Sequence, residues 1–193
     1  MLSVLIIYFN IQSRSLNTDY LTGAYNRRQL DEYIKAKIRS STKEESFSAI
    51  LIDLNDFKNI NDRFGHDIGD AALKAAARII SGSLRQDDFF ARYGGDEFMV
   101  IMDNHNRDLL EQTVQQLKLN VAQYNQENTH PYAIDFAMGY AIYDYASQMT
   151  ADDFFQQIDQ LMYEAKRKQQ KLRNTINANN KERQSWKGCR SSL

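Results

Sequence analysis

The segment Phe89-Phe90-Ala91-Arg92-Tyr93-Gly94-Gly95-Asp96-Glu97-Phe98-Met99-Val100-Ile101 sets two apolar, β-rich runs on either side of a glycine pair. Short aromatic and branched runs bounded by glycine read as strands. Gly-Gly is one of the dipeptides that closes a two-residue hairpin, because both residues accept φ > 0. The expectation is a hairpin over about residues 88–102 with two carboxylates, Asp96 and Glu97, at its tip. Gly94 and Gly95 leave that tip without shielding side chains, so a ligand can approach the backbone closely. Adjacent carboxylates suit a hard divalent cation bound through oxygen.

Upstream, residues 47–54 read Phe-Ser-Ala-Ile-Leu-Ile-Asp-Leu, a short apolar run that suits a buried central strand. Asp53 lies at its end, and a buried carboxylate is costly unless paired or bound to metal. The chain continues through a polar stretch, Asn55 to Asp70, that carries Lys58, spaced glycines and several acids. A strand-end carboxylate, a lysine-bearing loop and an acidic hairpin are the parts that bind a nucleoside triphosphate with metal.

The remaining elements follow from periodicity. Asn26–Arg39 predicts an amphipathic helix through Leu30, Tyr33, Ile34 and Ile38, and Asp70–Leu84 predicts one through Leu73, Ala76, Ala77 and Ile80. Asp70 would open that second helix as an N-cap. Asp108–Asn125 places Leu109, Val114, Leu117 and Val121 on one stripe, and Ala151–Lys168 does so with Phe154, Phe155, Ile158, Leu161 and Met162. Tyr132–Tyr143 alternates as a strand. Strands and helices around one hairpin give an α+β fold.

Composition bounds the rest. With 193 residues, 42% hydrophobic and 25% charged, the chain suits one domain with a real core. Its single cysteine, Cys189, excludes a disulfide framework and a Cys-rich zinc site. Residues 1–165 carry 15 Lys and Arg against 24 Asp and Glu, whereas residues 166–193 carry 9 against one. The acidic body argues against nucleic-acid binding, which needs a basic surface. Residues 1–16 open on the apolar run Met1–Phe9, shorter than the roughly 20 residues that span a bilayer. It reads equally as the end of a membrane helix, the end of an upstream signalling helix, or a short packing helix. Residues 174–193 are polar and aperiodic and read as a disordered basic tail.

Five motifs in order carry a resemblance. They are Asp19-x-Leu21-Thr22-Gly23-x-x-Asn26-Arg27-Arg28, Asp53-Leu54-Asn55-Asp56-Phe57-Lys58-x-Ile60-Asn61-Asp62, Phe64-Gly65-His66-x-x-Gly69-Asp70, Arg92-Tyr93-Gly94-Gly95-Asp96-Glu97-Phe98 and Tyr163-x-Ala165-Lys166. Together the chain resembles the GGDEF domain of bacterial diguanylate cyclases over residues 17–173. The resemblance implies a central, mostly antiparallel sheet flanked by helices, similar to class III nucleotide cyclases and polymerase palm domains. It implies condensation of two GTP into cyclic di-GMP with release of pyrophosphate.

The residues meet the needs of that reaction. The resemblance places two Mg²⁺ (or Mn²⁺) ions per half-site on Asp53, the Leu54 carbonyl, Asp96 and Glu97, with Asp96 and Glu97 catalytic. Guanine presents two adjacent donors, and the family's guanine-binding pair maps to Asn61 and Asp70. Asp56, Phe57 and Lys58 match its phosphate loop, Gly94 and Gly95 its turn, and Lys166 its distal lysine. Arg85 and Asp88 match an Arg-x-x-Asp inhibitory site for cyclic di-GMP. One departure stands out: the family's Gly-Arg-Asn segment is replaced, and Gln170 occupies the position of a phosphate-clamping arginine. His66, His105 and His130 lack ligand spacing and read as structural or solvent-facing. Each such domain holds one GTP, so catalysis implies a homodimer. The implied location is the bacterial cytoplasm, or the cytoplasmic face of the inner membrane through an upstream tether. A non-catalytic module that binds cyclic di-GMP or GTP, or that dimerises with an active cyclase, is the alternative.

Overall fold

The computed structural model describes residues 17–43, 45–127 and 130–190, of which 172–190 as backbone. The predicted leader, residues 1–16, lies outside the described residues. The elements are α1 (Arg27–Ser40), β1 (Ser48–Leu54), α2 (Phe57–Phe64), α3 (His66–Ser81), β2 (Phe89–Arg92), β3 (Glu97–Met102), α4 (Arg107–Glu127), β4 (Phe136–Ile142) and α5 (Ala151–Arg190). The strands form one sheet in the order β2-β3-β1-β4, and every neighbouring pair is antiparallel. The fold is α+β, with helices on both faces of the sheet.

Alternation along the strands builds two cores. Ile50, Ile52, Phe98, Val100 and Met138 pack with Leu73, Ile80, Val114 and Leu117 from α3 and α4. Leu51, Met99, Ile101 and Ala137 pack on the other face with Leu30 and Ile34 of α1 and Phe154, Ile158 and Met162 of α5. All seven residues of β1 are buried, as an apolar run covered on both sides requires. On α4 the inward residue of the first turn is Leu110 rather than the predicted Leu109. Leu161 on α5 is exposed. At Gly139 the backbone of α5 lies directly on β4: a Cβ there would fall on the Ile158 carbonyl and the Met162 amide.

Four boundaries differ from the sequence reading. The stretch after β1 is not a loop but holds α2, whose Phe57, Ile60 and Phe64 recur with helical spacing over only eight residues. Gly65, at φ 88°, ends α2 and precedes α3, so α3 begins at His66 and Asp70 lies in its second turn. Asp70 is therefore no N-cap. β4 starts at Phe136 rather than Tyr132, because the Asn125 side chain takes both the N–H and the C=O of Ile134 at 2.8 and 2.7 Å. Finally, α5 runs past Lys168 to Arg190, through the stretch expected to be disordered. Apolar periodicity reports packing, and its end does not end a helix whose residues 163–187 contain neither Gly nor Pro.

The hairpin is confirmed and its turn corrected. β2 ends at Arg92 and β3 begins at Glu97, so Tyr93 to Asp96 form the connection. The amides of Tyr93 and Gly94 both donate to the Glu97 carbonyl, at 2.8 and 3.2 Å. Among the described glycines, positive φ is adopted by Gly23 and Gly65 and not by Gly94 or Gly95. Gly94 serves space instead: a Cβ there would stand 2.7 Å from a Glu97 carboxylate oxygen.

Candidate active site

The register of β1 on β3 sets Asp53 directly opposite Glu97. Both follow the alternation of Leu51 and Met99, so both face the side of the sheet covered by α5. Asp53 is buried, and Lys166 of α5 places Nζ 2.7 Å from its Oδ1. The next amide, Leu54 N–H, donates to the Asp96 carbonyl at 3.0 Å, which ties the hairpin turn to the end of β1. Burial, and then the charge of Asp53, push the Asp96 carboxyl above its ordinary value. Burial, followed by the charges of Asp53, Asp96 and Asp159, does the same to Glu97, while Lys166 works against the rise. Like charges facing each other across a sheet repel. This end of the sheet gathers carboxylates that a divalent cation would relieve. Among the described residues, no three acidic, His or Cys side chains already close on one point as a cage.

Arg92 fixes the turn. Its guanidinium donates to both oxygens of Asp19 at 3.1 Å and to the Gly95 carbonyl at 2.6 and 3.2 Å. Asp19 also accepts from the Thr22 amide and hydroxyl, at 2.9 and 2.6 Å. Burial raises the Asp19 carboxyl, but the Thr22 bonds and the Arg92 charge outweigh it and hold the group below its ordinary value. Tyr25 pairs along the free edge of β2, its amide to the Phe90 carbonyl at 3.0 Å and its carbonyl to the Arg92 amide at 2.7 Å. The chain segment Thr18–Tyr25 is thereby joined to the Gly94-Gly95 turn.

The other predicted residues lie on α2, α3 and the turn before β2. Asp56 is the N-cap position of α2 with φ 59° and makes no side-chain cap bond, so that carboxylate does not cover the first amides of α2, at Phe57 and Lys58. Helix N-terminal amides of this kind suit an anion. The Asn61 side chain lies over Gly69, in space a Cβ would fill, one residue from exposed Asp70. Arg85 and Asp88 are joined through the Arg85 amide on Asp88 Oδ2 at 2.8 Å, and the Arg85 side chain is exposed. Burial raises the Asp88 carboxyl, Arg85 lowers it, and Asp103 and Asp87 raise it further. His66, His105 and His130 are exposed, and His130 stacks on Tyr132 at 5.3 Å.

A model of the diguanylate cyclase GGDEF domain matches residues 16–172. This chain belongs to the GGDEF family. The diguanylate cyclase DgcS of Shewanella oneidensis is 34% identical to this GGDEF domain over 151 residues, 77% of this chain and 49% of that protein. A diguanylate cyclase of Vibrio cholerae serotype O1 is 32% identical over 154 residues, 78% of this chain and 47% of that protein. The GGDEF domain thus spans about half the length of these relatives. Its backbone is similar to the coiled coil and GGDEF domain of DgcB from Caulobacter crescentus, solved in complex with c-di-GMP. The TM-score is 0.77 at 23% identity over 86% of this chain and 88% of that one, a likeness of fold. A sensory box/GGDEF family protein of Caulobacter crescentus CB15 gives a TM-score of 0.67 at 31% identity, over 79% and 99%.

Three residues of this GGDEF domain bear on the site without a sequence signal that announces it. Arg92 belongs to the Gly94-Gly95 motif, but nothing in the chain links it to Asp19, 73 residues away. Asp159 adds charge against Glu97 from α5. Gln169 donates to the Phe136 carbonyl at 3.2 Å and accepts from Asn55 Nδ2 at 3.3 Å. Gln170, at the family's arginine position, is exposed. No helix among the described residues is long and apolar enough to cross a membrane.

Proposed function

We propose that this domain is a diguanylate cyclase, joining two GTP molecules into cyclic di-GMP with loss of two pyrophosphates. The observation that carries the reading is the pairing of Asp53 with Glu97, with Asp96 alongside and Lys166 on Asp53. Asp53, Asp96, Glu97 and the Leu54 carbonyl would hold Mg²⁺ or Mn²⁺, two per half-site. Bound there, the metal supplies charge neutralisation on the triphosphate and activates the attacking hydroxyl. Asp96 and Glu97, carboxylates at the hairpin connection beside Asp53, are placed to accept the 3′-hydroxyl proton. The 3′-oxygen then bonds to the α-phosphorus of the other nucleotide, and the bond from that phosphorus to the bridging oxygen of pyrophosphate breaks. Lys58, Lys166 and the first amides of α2 bind the phosphates, while Asn61 and Asp70 accept and orient guanine. Gly94 and Gly95 keep the turn bare where the nucleotide enters.

One domain holds one GTP, so two copies face each other, each supplying the nucleotide the other attacks. Arg85 and Asp88 form the inhibitory site for cyclic di-GMP, separated from the Gly94-Gly95 turn by the length of β2. The domain works in the bacterial cytoplasm, or on the inner face of the membrane if a longer protein tethers it. Incubation of the purified protein with GTP and Mg²⁺, followed by mass spectrometry, tests the reading: cyclic di-GMP forms with wild type and not with Asp96→Ala. GTP or cyclic di-GMP binding without turnover would make it a receptor module instead.

A further inference from the structure

We propose that Gln169 is a positioning residue that clamps α5 to the end of β1 and thereby holds Lys166 in place. Lys166 and Gln169 are three residues apart on α5 and share a face. They grip β1 on either side of Leu54: Lys166 through Asp53 at 2.7 Å, Gln169 through Asn55 at 3.3 Å. The second arm of the same amide reaches the Phe136 carbonyl at 3.2 Å, at the start of β4. Asn55 is itself buried and fixed, its amide N–H on the Asp135 carbonyl at 2.8 Å and its Nδ2 on the Asp135 carboxylate at 2.9 Å. A primary amide is suited to this place because it bridges a donor, Asn55, and an acceptor, Phe136. A glutamate would lose the bond to Phe136, and a leucine would lose both.

The sequence explains why this chain has the clamp. At the position where the family pattern reads glycine, the helix of this chain continues and presents a side chain, Gln169. The turn it grips leads directly into Asp56, Phe57 and Lys58. Two cationic groups proposed to meet the triphosphate, Lys58 and Lys166, are thus referred to one fixed point. The consequence for GTP rests on the cyclase reading; the clamp itself does not.

Lysine acetylation read by mass spectrometry tests the clamp on the full chain without nucleotide. Lys166 should be labelled several-fold faster in Gln169→Leu than in wild type, and as fast as in Asp53→Asn, with circular dichroism unchanged. Gln169→Glu, which keeps one bond, should fall between. In turnover, Gln169→Leu should raise KM for GTP by about tenfold with kcat little changed, the scale of one weakened contact from Lys166 to phosphate. In a Lys166→Met background it should add nothing. Unchanged Lys166 labelling, or KM effects that simply multiply in the double variant, would overturn the proposal. A wild-type protein that neither binds nor converts GTP would overturn the cyclase reading instead, and the labelling result would still decide the clamp.

Discussion

Asp53 and Glu97 face each other across the β1–β3 pair, two acids in register at the end of a buried strand. Such a pair costs roughly 0.2–1 kcal/mol, and Lys166 on Asp53 offsets that only in part, since the Glu97 carboxyl stays raised. Glu97→Gln should therefore stabilise the metal-free protein, raising its melting temperature by up to about 2–4 °C for a domain of this size. The sign with pH follows from the raised carboxyls of Asp96 and Glu97. Both bind protons more readily folded than unfolded, so their penalty is full above the raised values. It disappears as pH falls through them toward 3.8 and 4.5. The advantage of Glu97→Gln should shrink between pH 7 and pH 4 in urea titrations. Mg²⁺ should raise the wild-type melting temperature and leave Asp53→Asn unmoved.

Asp96→Ala should abolish turnover and leave the fold intact. Its side chain is only half-buried in the hairpin connection, and the bond that ties the turn to Leu54 comes from its backbone carbonyl. Near-normal cyclic di-GMP formation by this variant at saturating Mg²⁺ would remove Asp96 from the mechanism.

Asp70→Ala should erode the preference for GTP over ATP by about 1–3 kcal/mol, the scale of a recognition bond lost at a base edge. Because Asp70 lies inside α3 rather than at its start, no capping energy is lost with it. Its folding stability should stay within about 0.5 kcal/mol of wild type, as for an ordinary surface change. Competition binding of the two nucleotides and thermal melts separate the two quantities.

Arg92→Met removes the cation shared by Asp19 and the Gly95 carbonyl. It should destabilise the domain by about 1–3 kcal/mol and lower kcat, because the turn bearing Asp96 loses its anchor. The contribution of Asp19 is present above its ordinary value of 3.8 and is lost as pH falls through its depressed folded value. Acid unfolding of Asp19→Asn should lack that limb.

Arg85→Ala should relieve inhibition by cyclic di-GMP while sparing the basal rate, since the exposed guanidinium lies at the far end of β2 from the turn. Inhibition in wild type should be non-competitive with GTP. Competitive inhibition that survives the substitution would put the product in the GTP site.

Much of this was legible because the signals are local. The run around Asp53 and the hairpin at Gly94-Gly95 read correctly as strands, since alternation and turn residues act over a few positions. α3 starts four residues before the expected Asp70 because Gly65 serves two helices at once, and a glycine carries no sign of which. The turn is longer than two residues, and the group that holds it, Arg92 on the Gly95 carbonyl and Asp19 together, makes a contact across 73 residues that no period announces. Gln169 carries no sequence signal for the same reason: its partners, Asn55 and Phe136, are far away in the chain.

At Gly139 the helix that carries Lys166 touches β4 backbone to backbone. Nothing thicker than a hydrogen atom fits between them, so this contact acts as a shim that sets the height of α5 above the sheet. The reach of Lys166 to Asp53 is therefore decided partly at a residue that bears no functional group. A single methyl group at position 139 would lift the whole lever and open the acid pair without touching either acid.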